Sequence, residues 1–144
     1  MSVKSISSSG KAASARASAS SSGGNFRLNA LDVSTGAQKF GGPVTIDASV
    51  AATNSDSVNG VETLNTSCLQ RAALLLANGN VYIGFGGCHS GWLLAYNAST
   101  LTQVGVFNAS PNLNGEGKFA SVGGIWMGGA GPVADNDGNI YVTT

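Results

Sequence analysis

The same strand-turn-strand pattern recurs along this chain, and the recurrence limits the available folds more than any other feature. Residues 28–38 align with residues 93–103 at an offset of 65, and residues 79–83 align with residues 138–142 at an offset of 59. Two different segments that recur in the same order at similar spacing indicate a repeat protein. A period of about 60 residues fits one four-stranded antiparallel sheet per repeat. The third copy has only begun where the sequence stops.

Composition favours an all-β protein with many turns. The 144 residues include 21 glycines, and only 10% of them are charged, whereas an average domain has about 25% charged residues. The formal net charge is zero, which predicts no long-range attraction to nucleic acid or to an anionic membrane surface. No apolar run approaches the roughly 20 residues that span a bilayer, so we expect neither nucleic acid nor a membrane among the partners.

The first 24 residues form a separate region. Ten of them are serine, and no acidic residue precedes Asp32. This composition predicts a disordered tail or linker, although a Ser- and Arg-rich targeting presequence has the same character. A short helix over residues 12–20, or a partner that holds the tail, would give it order. No apolar segment follows Lys4, so no export signal is visible.

Residues 25–144 read as strands joined by turns, with the clearest hairpin in the middle. Residues 72–77 and 80–85 flank Asn78-Gly79, the strongest short hairpin signal. A two-residue turn pairs Leu76 with Val81, and both faces of the resulting ribbon are largely apolar, so we expect cover on both sides. Further strands are predicted over residues 26–31, 38–46, 92–96, 102–107, 131–134 and 140–144, with polar loops over 47–67 and 111–121.

The turn after the first strand carries a recognisable motif. Residues 30–36 read Ala-x-Asp-x-x-Thr-Gly, and their counterpart at residues 95–101 has lost the Asp and the Gly. This motif resembles the blade signature of pyrroloquinoline-quinone-type (PQQ-like) β-propeller repeats. Residues 70–112 and 124–144 resemble successive blades of the same family. The resemblance implies a propeller of several blades, of which this chain holds one full blade and two partial ones.

The resemblance also bears on cofactors and location. Some family members bind PQQ and oxidise alcohols or sugars, and many are non-catalytic scaffolds. The vicinal cysteine pair and the calcium-ligand set of the quinone enzymes have no match in this sequence. We therefore predict no cofactor, with PQQ or calcium only as alternatives. The family favours an extracellular or periplasmic location.

Cys68 and Cys88 are the two cysteines of the chain. When the central hairpin is extended outward, Leu69 pairs with Cys88 and Cys68 pairs with His89, so a small bulge would bring the cysteines within disulfide range. We predict a disulfide if the compartment is oxidising. Two unpaired thiols, or a metal site formed with His89 and a further ligand, are the alternatives.

His89 is the only histidine, and it lies between Cys88 and Ser90 in a glycine-rich loop. A Cys88 or Ser90 nucleophile activated by His89 would follow a known pattern. Sequence neighbours rarely turn their side chains toward each other, and no orienting carboxylate is evident. We expect an exposed loop histidine, and keep the three residues as weak catalytic candidates.

Residues 135–139 read Asp-Asn-Asp-Gly-Asn, which resembles the start of a calcium-binding loop. Asp135 and Asp137 would be its ligands. The pattern lacks the closing Glu of an EF-hand, and a hairpin turn accounts for the same residues. We expect the turn, with calcium as the alternative.

Together these patterns predict a non-catalytic structural or binding module built from propeller blades. A partial propeller cannot close on itself, so apolar faces bearing Leu74 and Leu76, or Leu75 and Tyr82, and the strand edge at residues 140–144 would remain open. We therefore expect a homo-oligomer formed by strand donation, or association with missing blades. The alternatives are a small hydrolase or oxidoreductase centred on His89, or a fragment of a quinoprotein dehydrogenase.

Overall fold

The computed structural model describes residues 4–8, 11–15, 25–113 and 123–144, with only the backbone described for the first two segments. Every regular element in these ranges is a β-strand, so the prediction of an all-β protein is confirmed. The strands are β1 (Lys4–Ser8), β2 (Lys11–Ala15), β3 (Phe26–Leu28), β4 (Val44–Ile46), β5 (Ser49–Ala51), β6 (Val61–Thr63), β7 (Leu75–Ala77), β8 (Asn80–Phe85), β9 (Trp92–Asn97), β10 (Gln103–Asn108), β11 (Val133–Ala134) and β12 (Ile140–Tyr141).

The strands form one central sheet and four hairpins. The central sheet has the order β10-β9-β8-β7, and the two-stranded sheets are β1-β2, β3-β4, β5-β6 and β11-β12. Each pair is antiparallel and joins strands that follow one another along the chain. Such a meander forms readily because tight turns suffice to connect antiparallel neighbours. In the described part of the chain, the sheets do not close into a ring.

The central hairpin has the predicted register. Leu76 pairs with Val81 and Leu75 with Tyr82 across the Asn78-Gly79 turn, where both turn residues have positive φ, 50° and 73°. That is the backbone of a type I′ turn, which matches the twist of the flanking strands. β7 is shorter than predicted, since it begins at Leu75 rather than at residue 72.

The repeated turns have the same hydrogen bonds, although their sequences have diverged. The Oδ1 atom of Asp32 accepts from the amides of Ser34 and Thr35 at 3.0 and 3.1 Å. In the second copy Asn97 Oδ1 accepts from Ser99 and Thr100 at 2.9 and 3.1 Å. An Asn can replace the Asp because both side chains present an oxygen that reaches the backbone two residues on.

The last position of these turns requires a left-handed backbone. Gly36 has φ 71° and donates its amide to the carbonyl of Asp32. Leu101 takes its place in the second copy with φ 57° and donates to the carbonyl of Asn97 in the same way. A leucine pays a steric penalty there, and its buried side chain belongs to the hydrophobic core. The packing of the Leu101 side chain in the core therefore stabilises a left-handed backbone conformation that glycine adopts without steric cost.

The hydrophobic core lies between the β3-β4 hairpin and one face of the central sheet. Phe26 of β3 meets Phe85 of β8 with ring centroids 4.9 Å apart. The fully buried side chains around them come from both sheets and include Leu28, Ile83, Trp92 and Leu94. Leu74 and Leu76 pack against the edge of this cluster and are only half buried. Most of this face, one of the two expected to stay open, is thus covered within the chain.

The C-terminal segment approaches the central sheet at three points. The amide of Ile125 donates to the carbonyl of Phe85 at 3.2 Å, and the amide of Ala73 donates to Ala130 at 2.7 Å. A Cβ built on Gly138 would lie 3.3 Å from Nδ2 of Asn78, so the two hairpin turns lie side by side. The β11-β12 hairpin therefore lies against the central sheet.

Several sequence-based boundaries are wrong. Residues 47–67, predicted as an irregular loop, contain the β5-β6 hairpin. The predicted strand over 38–46 is reduced to β4 and a bridge between Leu31 and Gln38, because Phe40 and Gly41 have left-handed backbones that no strand can continue through. The last strand ends at Tyr141 rather than at residue 144.

Two further predictions concern residues 1–24 and residues 111–121. Within residues 1–24, β1 pairs with β2 from Lys4 opposite Ala15 to Ser8 opposite Lys11, where a helix or a disordered tail was expected. The loop predicted over 111–121 falls mostly outside the described residues.

Candidate functional site

The two cysteines are joined at the base of the glycine-rich loop. Their sulfur atoms are 2.07 Å apart, and their Cα atoms are 4.5 Å apart. Leu69 bridges Gly86 rather than Cys88, so the register has shifted by two residues relative to the central hairpin. In this register Cys68 lies opposite Gly87, one residue from Cys88, which is close enough for the disulfide to form. The alternatives with free thiols or a Cys-based metal site do not apply to this structure.

A buried cluster of polar side chains lies beside the disulfide and centres on Glu62. Its Oε2 atom accepts hydrogen bonds from Nδ2 of Asn54 at 2.5 Å, Nδ2 of Asn108 at 3.0 Å and Oγ of Ser90 at 3.1 Å. Glu62 is only 4% exposed. A buried carboxylate oxygen with several donors has its hydrogen-bonding capacity filled. Because the donors lie far apart in sequence, these hydrogen bonds join separate parts of the chain.

The partners of Glu62 are also linked to each other. Asn54 Nδ2 lies 3.2 Å from Ser90 Oγ and 3.3 Å from the carbonyl oxygen of Ser110. Asn108 Oδ1 accepts from the amide of Ser110 at 2.9 Å. The cluster thus fastens the β5-β6 hairpin to the loop before β9 and to the end of β10. Its hydrogen bonds hold these segments together inside the protein.

Sequence reasoning did not find this cluster. Glu62 lies in a polar stretch that looks like an exposed loop, and its partners are 8, 28 and 46 residues away. The only local signal is the β-branched residue on either side of it in Val61-Glu62-Thr63. That signal indicates a short strand, and it does not say which face is buried.

The weak catalytic candidates are held by separate contacts. The Cys88 sulfur is bonded to Cys68, and the Ser90 hydroxyl, fully buried, donates to Glu62. His89 is mostly buried rather than exposed, which corrects the prediction. Its Nδ1 atom is 3.9 Å from Oδ1 of Asp56, and its buried Nε2 atom has no hydrogen-bond partner among the described residues. No hydrogen bond in the described part of the chain joins His89 to Cys88 or Ser90.

Asp135 supports its own turn. Its carboxylate accepts from the amides of Asp137 and Asn139 at 3.0 and 2.8 Å. It also accepts from Nδ2 of Asn139 and from the hydroxyl of Tyr141, each at 2.7 Å. These bonds, the one from the Asn139 side chain foremost, lower the pKa of Asp135 to about 2. The residues form the expected hairpin turn, and the described residues contain no group of three or more acidic, His or Cys side chains arranged to hold a metal ion.

Exposed apolar side chains gather on strands near the edges of the sheets. On β10, the outer strand of the central sheet, Val104 is 54% exposed and Phe107 is 52% exposed. In the C-terminal hairpin Val133 is 57% exposed and Tyr141 is 53% exposed. These two residues pair across β11 and β12, so they lie on one face. Exposed strand edges with apolar side chains are typical of surfaces that pair with another chain.

A shallow cleft of about 430 Å³ lies between the β5-β6 hairpin and β10. It is lined by Asp47, Ala48, Ser49, Thr63, Gln103 and Val106.

Among the described residues, no helix is long and apolar enough to cross a membrane. Comparisons with protein-family models, with curated proteins and with solved structures give no match.

Proposed function

We propose that this chain is a structural or binding module of propeller type that associates with itself and has no catalytic role. The observation that carries the proposal is the exposure of apolar residues on strands at open sheet edges, notably Phe107 of β10 and the pair Val133 and Tyr141 of the C-terminal hairpin. Burying this surface between copies would remove apolar area from water. Backbone pairing would add the hydrogen bonds that each edge strand lacks.

The contacts of the glycine-rich loop favour the same conclusion. A thiolate is needed for a cysteine nucleophile, and the Cys88 sulfur is committed to Cys68. The Ser90 hydroxyl is shared with Glu62 in a fully buried position. Both residues support the packing of the loop, which is the role expected of them in a scaffold.

Light scattering over a dilution series tests self-association. The wild-type chain should have the mass of more than one copy. A double substitution, Val133→Ser with Tyr141→Ser, should shift the mass toward one copy by removing apolar surface at the C-terminal hairpin. Val58→Ser is the control, because Val58 is an exposed apolar residue too, at 72%, but lies in the turn of the β5-β6 hairpin.

The control variant should keep the wild-type mass. A wild-type chain that stays monomeric at every concentration would overturn the proposal. Equal loss of mass in the control and the double variant would show that the effect does not belong to the C-terminal hairpin.

A further inference from the structure

The central sheet contains a template for a contact between two copies of this chain. Its inner strands β8 and β9 pair with Tyr82 opposite Ala95 and Ile83 opposite Leu94. The repeat gives each strand a counterpart: β12 corresponds to β8, and β3 corresponds to β9. In the described residues β12 and β3 each lie in a two-stranded sheet, so each has one edge without a strand partner.

We infer that β12 of one copy pairs antiparallel with β3 of a second copy, and that this seam is the site of the proposed self-association. Joined in this way, β11 and β12 of one copy and β3 and β4 of the next make a four-stranded sheet with the order β11-β12-β3-β4. That order is the counterpart of β7-β8-β9-β10. The inference rests on the proposed function and specifies its interface.

The offsets of the repeat fix the register of the seam. At the offset of 59, Tyr82 of β8 corresponds to Tyr141, and at the offset of 65 its partner Ala95 in β9 corresponds to Ala30. The seam therefore places Tyr141 opposite Ala30, and by the same correspondence Val142 lies opposite Asn29. The central sheet also has a hydrogen bond from the amide of Ala98 to the carbonyl of Gly79 at 2.8 Å. Its counterpart would join the amide of Val33 to the carbonyl of Gly138 in the second copy.

A second observation concerns the surface that the seam would cover. The β3-β4 hairpin buries the side chains of β8 and β9 on one face of the central sheet, but Leu74 and Leu76, beside β8, are only half buried. Extending the β3-β4 sheet by β12 and β11 of a second copy would lay two more strands alongside this exposed end. Tyr141 shares the face of Ala30 in the proposed register, and Val133 pairs with Tyr141. Both exposed side chains would then turn toward Leu74 and Leu76.

The seam is heterologous, because β12 of each copy meets β3 of the next. Such contacts generate closed rings when the rotation closes and open filaments when it does not.

Cysteine cross-linking in the full-length chain tests the register. Asn29 and Val142 are both half buried, and opposite positions of neighbouring strands bring cysteines within disulfide range. When Asn29→Cys protein and Val142→Cys protein are mixed and oxidised, a dimer should form that joins one of each. Neither variant should cross-link alone. The off-register pair Arg27→Cys with Ile140→Cys is the matched control, since it uses the same strands and the same faces but lies about four residues out of register.

Three outcomes separate the seam from the function. A mixed dimer with the Asn29–Val142 link identified by peptide mass mapping supports the seam. An oligomer that forms without this link, or that links equally in the off-register pair, overturns the seam and leaves self-association standing. That result would also be expected if β2, which comes close to β3 in the same copy, occupied the β3 edge. A monomer overturns both proposals.

Discussion

Glu62 shows at the scale of single residues how a polar side chain can hold distant segments together. Three side-chain donors converge on one of its oxygens inside the protein. Hydrogen bonds to a charged group stabilise a fold by about 1.5–3 kcal/mol each. The three donors lie in the β5-β6 connection, before β9 and at the end of β10, so the carboxylate acts as a common acceptor for all of them.

Glu62→Gln should lower the free energy of unfolding by about 1–3 kcal/mol. The amide keeps the shape of the side chain but loses the charge, and it can place an NH₂ group where the three donors point. Urea denaturation monitored by tryptophan fluorescence measures the change. Asp137→Asn, in the exposed turn before β12, is the matched control and should change stability by less than about 0.5 kcal/mol. An unchanged Glu62→Gln midpoint would contradict the role given to the cluster.

The hydrogen-bonded carboxylates of Asp32 and Asp135 should make the stability of the fold sensitive to acid. Hydrogen bonds, the one from Lys39 foremost for Asp32 and the one from Asn139 foremost for Asp135, lower both pKa values from 3.8 to about 2. A carboxyl group with a lowered pKa in the folded state stabilises it above the unfolded pKa, and this contribution is lost as the pH falls toward the folded pKa. The stability should therefore decline between pH values of about 4 and 2.

The double variant Asp32→Asn with Asp135→Asn tests this titration. It should be less stable than the wild type at neutral pH and should lose less stability on acidification, so that the two curves approach each other near pH 2. Urea midpoints measured from pH 7 down to pH 2 provide the comparison. Parallel curves over the whole range would mean that other groups dominate the acid response.

At the scale of elements, the disulfide closes the loop that contains the central hairpin. Cys68 and Cys88 are 20 residues apart in sequence, and a loop of that length contributes about 3 kcal/mol in the chain-entropy model. Comparing the oxidised protein with the same protein in reductant leaves every side chain in place. We expect the reduced form to unfold at a lower urea concentration. Thiol titration of the denatured, non-reduced protein should find no free thiol, and two would contradict the bond.

Gly91 controls how closely the start of β9 approaches the C-terminal segment. A Cβ at this position would collide with the backbone carbonyl oxygen of Gly123. Gly91→Ala should therefore destabilise the fold by about 1–3 kcal/mol, because backbone has to move to make room. Gly105→Ala is the control, since its Cβ would have only an ordinary contact of 3.4 Å with Ala95. Thermal unfolding of both variants decides whether the close approach matters.

At the scale of the whole molecule, the sheets formed by the described residues lie one against another without closing into a ring. The core between β3-β4 and the central sheet is well buried, whereas Val133 and Tyr141 of the terminal hairpin remain exposed. A chain that buries these side chains against a second copy has a stability tied to association. Its melting temperature should then depend on protein concentration.

We expect the wild-type melting temperature to rise as the protein is concentrated, and the Val133→Ser with Tyr141→Ser variant to show a smaller rise. Differential scanning calorimetry over a hundredfold range of concentration measures both. The Val58→Ser variant should follow the wild type. A melting temperature independent of concentration in the wild type would be the behaviour of an unassociated chain.

The sequence by itself determined part of the local structure of this protein, at its clearest turns. The Asn78-Gly79 hairpin and its register follow from the positive φ that a tight turn demands. The shared turn geometry at Asp32 and Asn97 follows from side-chain oxygens that bond the next backbone amides. These features were predictable because each depends on residues within about ten positions of one another.

The tertiary structure alone decided which polar residues are buried and which sheet faces are covered. Glu62 looks like a loop residue in sequence, and it becomes a buried acceptor because Asn54, Ser90 and Asn108 converge on it. His89 loses its exposure in the same way, through the packing of its loop beside Asp56. The disulfide lies between these two cases, since the hairpin predicted that Cys68 and Cys88 come close and the tertiary structure shows the bond between them. Burial depends on contacts between segments far apart in the chain, and a local pattern cannot specify which distant segments will meet.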